Sequence, residues 1–473
     1  MKSIKKHSLT NFLQSFLVAF LIMALPVTGD AETDGAINIP LTLGGTFEIG
    51  EILDRLQIEA AFDEQVSDSL INQVEEKVLD SVEDSVEGQL ASDIEHSAIV
   101  GEEIGIAAIA DDVVNSLDGD IDHRSARFHS GQWLVMADSA AFQDLADEGF
   151  VFDSLRELTS LGLILAEVSA PSSFNISTAR QGVLDVVGAG RAEVDLNHYY
   201  TAGVSVPSYS KGVQPASALD LPPGIDLLSL KVGVIDSMID VAHPGLIGSR
   251  IELEDFTREG AKRPADHGTA VASIIAASSA SGDYLGLVPK AKVYAASVFE
   301  TQRRYGDTAN TVSLVRALDW LLAKNIDVVN VSMAGPPNKL LELALKKFEE
   351  RGIPVVAAAG NGGPASGPMF PAAYDQVIAV TAVDEQRKAF RLANRGSYVD
   401  LAAPGVDVRH LLPGEGYGTS SGTSFAVPFV STAVAIVKHR FPENNPAQVL
   451  FESARDLGEP GKDDIYGYGL VSP

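Results

Sequence analysis

From residue 230 to the C-terminus, short apolar runs alternate with helical stretches, and no other feature of the chain limits its fold as strongly. Runs suited to buried strands fall at 232–235, 292–297, 328–331, 354–359, 377–383 and 400–402. Helical periodicity occupies 269–278, 312–324, 339–351 and 423–440. A strand that is apolar throughout needs cover on both faces, and a helix between successive strands makes them run parallel. Residues 229–473 are therefore expected to form an α/β domain, a mostly parallel sheet with helices on both faces. In such sheets functional groups gather at the C-terminal ends of the strands.

A smaller unit is expected at 132–200. Strand signals at 133–136, 150–152, 163–168 and 192–196 are interleaved with helical signals at 140–148 and 177–187. Strand–helix–strand–strand–helix–strand is the ferredoxin-like α+β order. Residues 201–228 carry Ser, Pro and Gly without periodicity and read as a linker. Residues 32–131 form an acidic region. Its first part, to about residue 50, reads as a Gly-rich loop. Over 51–99, Val66, Leu70, Val74, Val78, Val82, Val86, Leu90 and Ile94 recur at every fourth residue, a helical stripe that drifts round the surface because a turn holds 3.6 residues.

Charge limits the partners. The net charge is −29, and residues 51–125 hold 21 acidic residues against three basic ones. Nucleic acid and anionic membrane would be repelled. The chain has no cysteine, which removes thiol catalysis, thiolate metal sites and disulfides. Lys2, Lys5 and Lys6 precede the apolar run 16–25, and Gly29-Asp30-Ala31 follows Pro26. These are the parts of a secretory signal ending at residue 31, so the remainder is expected outside the cytoplasm. Membrane attachment would require that this segment stay uncleaved.

Three polar residues stand where the sheet should present its chemistry. Asp236 ends the run Val232-Gly233-Val234-Ile235. His267 lies in Asp266-His267-Gly268-Thr269, at a helix start. Ser424 lies in Gly422-Thr423-Ser424-Phe425-Ala426-Val427-Pro428, at another. Singly, each would pass as a turn, packing or capping residue. Together they supply a nucleophile, a base and an orienting carboxylate. A serine hydroxyl needs a neighbouring base to take its proton, and an imidazole, with an ordinary pKa of about 6.5, can do so near neutral pH. A carboxylate on the other ring nitrogen fixes the tautomer. The Ser424 N–H at a helix start and the Asn361 side chain, in Ala358-Ala359-Gly360-Asn361-Gly362, can receive an oxyanion.

The motifs, and their order Asp, His, Ser, resemble those of the subtilisin-like serine peptidases, the subtilases. The resemblance covers about residues 229–473 and includes the closing Tyr466-Gly467-Tyr468-Gly469-Leu470-Val471. It implies peptide-bond hydrolysis of polypeptide substrates, with Asp236, His267 and Ser424 catalytic and Asn361 in the oxyanion hole. The unit at 132–200 is similar to the propeptide of these enzymes, an intramolecular inhibitor removed by self-cleavage, which the resemblance puts near Tyr200. Asn330-Val331-Ser332-Met333-Ala334-Gly335-Pro336 resembles the segment that pairs with the substrate backbone, so Ser332, Met333, Ala334, Gly335 and Gly360 are implied to bind substrate.

Three positions depart from the family pattern. Met238 stands where a glycine is usual, in Asp236-Ser237-Met238-Ile239-Asp240. Ala334 also replaces a glycine. Met369 and Phe370, in the segment 362–371, suggest a restricted apolar pocket. The residues imply no cofactor and locate no metal site, although the resemblance allows calcium. The competing readings are a binding protein that keeps the fold without catalysis, and a sedolisin-type acid peptidase. His267 and Asn361 stand where the latter would have glutamate and aspartate.

Overall fold

The computed structural model describes residues 38–41, 45–48, 128–170, 174–202, 206–207, 211–303 and 305–473. The expected signal segment at 1–31 and the stripe over 51–99 lie outside these residues. The chain divides into two units, 1–125 and 126–473. In the first, residues 32–50 are not all loop. β1 (Asn38–Leu41) and β2 (Gly45–Glu48) pair antiparallel, with Asn38 opposite Glu48. The runs Asn38–Leu41 and Gly45–Glu48 are long enough to pair, a signal that the glycine content hides.

The second unit begins with β3 (Phe128–Ala137), α1 (Ser139–Asp147), β4 (Ser154–Leu158), β5 (Leu163–Ser169), α2 (Ile176–Val187) and β6 (Ala192–Tyr200). Their strands are antiparallel in the order β4-β5-β3-β6, the ferredoxin-like arrangement. The expected strand at 150–152 is a correction. The strand lies at β4, and Phe152 instead packs edge-on against Phe142 at 5.1 Å. Burial, not pairing, places those aromatics.

Side chains alternate across β3. Trp133, Val135 and Ala137 pack with Phe142, Leu145 and Val183 of the two helices. Leu134 and Met136 face the other way and enter the core of the following domain. The antiparallel sheet therefore has no wet face at its centre.

The following segments include β7 (Val206–Pro207) and α3 (Pro215–Ala218), both within the expected linker. Next come β8 (Lys231–Asp236), β9 (Arg250–Asp255), α4 (Asp266–Ala276), β10 (Lys292–Ser297), β11 (Glu300–Gln302) and β12 (Gly306–Asn310). α5 (Thr311–Leu322), β13 (Val328–Val331), α6 (Lys339–Glu350), β14 (Val355–Ala358), β15 (Val377–Val383) and β16 (Leu401–Pro404) follow. β17 (Val408–Leu411), β18 (Tyr417–Ser421), α7 (Thr423–Arg440) and α8 (Pro446–Ser453) complete the chain.

Seven strands form one parallel sheet in the order β9-β10-β8-β13-β14-β15-β16. Val356 and Ala358 join α4 and α7 on one face, whereas Val355 and Ala357 join α5 and α6 on the other. This double cover is what the continuous apolar runs require. The chain leaves β8 in both directions across the sheet, so the end of β8 is the point where strand order reverses. Among the described residues no helix is long and apolar enough to cross a membrane.

α5 and α6 present their N-termini to β6. Asn310 and Asn338 cap them from within, Asn338 accepting from the N–H groups of Leu340 and Leu341. The α+β unit adds caps from outside. Asp195 accepts from the Lys339 N–H at 2.9 Å, and Asn197 accepts from the Val312 N–H at 3.4 Å. Carboxylate and amide oxygens suit the orphan donors and positive dipole ends found there.

α7 runs through the middle of this domain with Phe429 fully buried. In an inactive background, Phe429→Ala should cost about 3–5 kcal/mol through the cavity it leaves. A lower urea midpoint with unchanged slope would show it.

Candidate active site

Asp236 closes β8 at the point of strand reversal and is 1% exposed. Its carboxylate accepts from the Ser237 N–H at 2.7 Å and faces His267 Nδ1 at 2.8 and 3.0 Å. A carboxylate only accepts, so Nδ1 carries the proton, and in the neutral form of the ring the lone pair lies at Nε2. That atom is buried and has no hydrogen-bond partner.

His267 is the second residue of α4, and the helix start approaches β8 closely. The Gly268 N–H donates to Ser237 Oγ at 2.7 Å, and a Cβ on Gly268 would lie 2.3 Å from the Ser237 carbonyl oxygen. Only glycine admits the helix at this distance. Met238 creates no conflict: positive φ among the described non-glycine residues occurs at Asn325, Arg387 and Asp407, not at 238.

Ser424 is the second residue of α7 and 2% exposed. Its N–H has no partner within the helix because the first turn cannot supply one. Gly422 offers no side-chain cap. Asn361 takes that part, its Oδ1 accepting from both the N–H and the hydroxyl of Thr423 at 2.9 Å. With Oδ1 committed, the donor end of the amide lies on the Gly422 side, 3.0 Å from where a Cβ on that glycine would stand.

The strand end before Asn361 is pinned. Tyr398 donates to the Ala359 carbonyl at 2.8 Å, and burial pushes its hydroxyl up to about 12, so it stays a donor. The Gly360 N–H reaches Thr423 Oγ1 at 3.3 Å, and the Gly362 N–H reaches Asn394 Oδ1 at 2.8 Å. Gly360 itself has φ +111, and its Cβ position lies 3.1 Å from Met369 Cγ, which brings Met369 against the backbone before Asn361.

Ser332 turns inward. Its hydroxyl donates to the Ser424 carbonyl at 3.0 Å and accepts from Asn330 Nδ2 at 2.9 Å, while Ser431 donates to Asn330 Oδ1 at 3.0 Å. The reason lies in α7: the helical partner of the Ser424 carbonyl would be residue 428, which is proline and has no N–H. Met333 is fully buried in the core. Ala334 exchanges two backbone hydrogen bonds with Thr201, at 2.9 and 3.0 Å. Gly335 pairs with Phe370 and lies beneath Tyr200, whose ring would be 2.4 Å from a Cβ there.

The Ser424 hydroxyl makes no hydrogen bond to His267 Nε2. It donates to the Ala202 carbonyl at 2.8 Å. Beyond that point Val206 and Pro207 pair with Ser421 and Ser420 of β18, on the strand that leads to the serine. Residues 201–202 and 206–207, which carry no motif, thus meet both sides of the site.

Among the described residues no three His, Asp or Glu side chains come together to hold a metal ion. What the arrangement offers is an oriented imidazole, a hydroxyl at a helix start, an amide beside it and an edge that pairs with extended backbone.

The family model for the subtilase family matches residues 229–469. The chain belongs to the subtilase family. This subtilase is 33% identical over 252 residues to the minor extracellular protease Epr of Bacillus subtilis (strain 168), a match covering 52% of this chain and 38% of Epr. The chain thus spans little more than a third of Epr. It is 33% identical over 249 residues to the subtilisin of Bacillus pumilus, covering 52% of this chain and 89% of that protein. The structure of fervidolysin from Fervidobacterium pennivorans, a keratinolytic enzyme related to subtilisin, superposes with a TM-score of 0.58 at 21% identity. It covers 74% of this subtilase and 61% of fervidolysin, a likeness of fold.

In this subtilase Gly268→Ala should part α4 from β8. The downfield proton resonance of His267 Nδ1–H should be lost or move upfield, and thermal stability should fall. An unchanged resonance would show that the glycine is not what sets the Asp236–His267 contact.

Proposed function

We propose that this subtilase is an extracytoplasmic serine endopeptidase, made as an autoinhibited precursor that cleaves itself. The observation that carries this reading is the hydrogen bond from Ser424 to the Ala202 carbonyl, with flanking backbone paired on both sides. The α+β unit is then the propeptide, and its exit strand lies where a substrate would. Secretion is supported by the signal-like N-terminus and agrees with the name of Epr as an extracellular protease.

Ser424 Oγ attacks the carbonyl carbon of the scissile bond as His267 Nε2 takes its proton. Asp236 holds the Nδ1–H tautomer and stabilises the imidazolium. The new C–O bond leaves a negative oxygen, which the Ser424 N–H and Asn361 Nδ2 receive. His267 returns the proton to the departing amine, and water, deprotonated in the same way, releases the acyl group. While the Ser424 hydroxyl is turned to Ala202, the base stands without its proton donor, so the precursor is inactive toward other substrates.

Pairing by Thr201 on one flank and Val206 on the other brackets the maturation cut. N-terminal sequencing of the mature enzyme should therefore begin at a residue from 203 to 206, a few positions beyond Tyr200. The Ser424→Ala precursor should remain full length when purified. A start elsewhere would exclude this bracket, and maturation of the purified Ser424→Ala protein would exclude self-processing through Ser424.

Asn361→Ala should lower kcat about 100- to 1000-fold with little change in KM, the usual cost of losing one oxyanion donor. Steady-state kinetics on a peptide substrate, normalised by fluorophosphonate titration, provide the check.

A further inference from the structure

Phe425, next to Ser424, touches two imidazoles. His267 lies 5.4 Å from it between ring centroids, with the planes tilted by 45°. His410 stacks on it at 5.6 Å and 6°. No motif in the sequence gives His410 a partner, but the fold engages both of its nitrogens. Nδ1 lies 3.0 Å from the Leu411 carbonyl and Nε2 lies 2.9 Å from Ser420 Oγ. The carbonyl can only accept, so Nδ1 holds the proton and Ser420 donates to Nε2. One neutral tautomer is fixed. The ring is buried, which pushes its pKa down. Gly418, opposite it in the β17–β18 hairpin, leaves it room, since a Cβ there would lie 2.8 Å from His410 Cε1.

The charged and titratable groups around this trio are directed elsewhere. Asp236 is bonded to His267. The Tyr284 hydroxyl faces Ser273 Oγ and the Arg409 carbonyl. The Arg409 guanidinium sits over the Tyr417 ring at 4.1 Å and donates to the Asp283 carbonyl.

His267 is held by a contact at one nitrogen, about which an imidazole can pivot. The Phe425 ring restrains its flank and keeps water from it. Phe425 has no polar group of its own, so its position depends on what packs against it. An imidazole anchored at both nitrogens is a firmer backing than an aliphatic side chain.

We propose that His410 is a positioning residue of the active site, holding Phe425 against His267 and thereby setting the orientation of the base and excluding water from its flank. This role rests on the serine-peptidase reading given under Proposed function.

The test compares His410→Asn, His410→Phe and Phe425→Leu in the mature enzyme, with active sites titrated. His410→Asn should lower kcat about 10-fold or more, as misalignment of a reacting group does, with KM nearly unchanged. The acid limb of its kcat/KM profile should move to higher pH, because water beside His267 favours the charged imidazole. His410→Phe keeps the stack and should retain kcat within about threefold on the same grounds. If that variant fails to fold, Phe425→Leu decides, and should reproduce the loss and the shift. A lowered melting temperature with wild-type kcat and an unmoved acid limb in His410→Asn would overturn the proposal and leave His410 a core residue. The peptidase reading fails separately, if Ser424→Ala still hydrolyses substrate.

Discussion

Pro428 removes one hydrogen bond from the start of α7, and the site is arranged around that gap. The Ser424 carbonyl would otherwise be satisfied within the helix. Ser332 satisfies it instead, Asn330 donates to Ser332, and Ser431 donates to Asn330 in turn. All of these groups are buried, so each missing partner would cost the full desolvation of the atom left behind. The network ties the end of β13 to the helix that carries the serine. The edge that pairs with extended backbone, at Ala334, therefore cannot shift relative to Ser424 without breaking buried bonds. The position of that edge and the position of the serine are set by one set of contacts.

The same economy governs the other two groups. Asp236 stands at the strand where sheet order reverses, and His267 and Ser424 stand one residue inside separate helices. Strand ends and helix starts are rigid, and their spacing follows from sheet packing. Where packing must be closer than a side chain permits, a glycine is present, as at Gly268. Where a helix start lacks its own cap, a distant residue supplies one, as Asn361 does for Thr423. Its amide is thereby oriented by the first residue of the helix it caps.

Much of this architecture is legible in the sequence. Parallel strands covered on both faces read as unbroken apolar runs, so six strands of the large sheet are visible in the chain. The seventh, β9, is not. Its sequence Arg-Ile-Glu-Leu-Glu-Asp carries charges at an edge, where one side meets water. The types and order of Asp236, His267 and Ser424 are visible because the chemistry demands one of each. The direction of the Ser424 hydroxyl is not, since its acceptor lies 222 residues earlier in a segment without periodicity. Ser332 is expected to face substrate, and it turns inward because of a proline far along the chain. His410 gives no signal because its partners are a backbone carbonyl and a serine across a hairpin. Pairings of that kind depend on register, and register is not written in composition.

The placement of residues 201–202 and 206–207 at the site has a consequence for timing. In the proposed reading, the occupying segment of the uncut precursor is joined to the domain that binds it, and its effective concentration is fixed by the short connection at a value far above that of any competing peptide. The first cut removes that advantage but leaves the caps that Asp195 and Asn197 place on α6 and α5. The severed unit then holds as an ordinary ligand does, by affinity alone, and dilution begins to matter. In the proposed reading the step that liberates activity is thus the departure of a bound domain, and the first turnover of the enzyme merely makes that departure available.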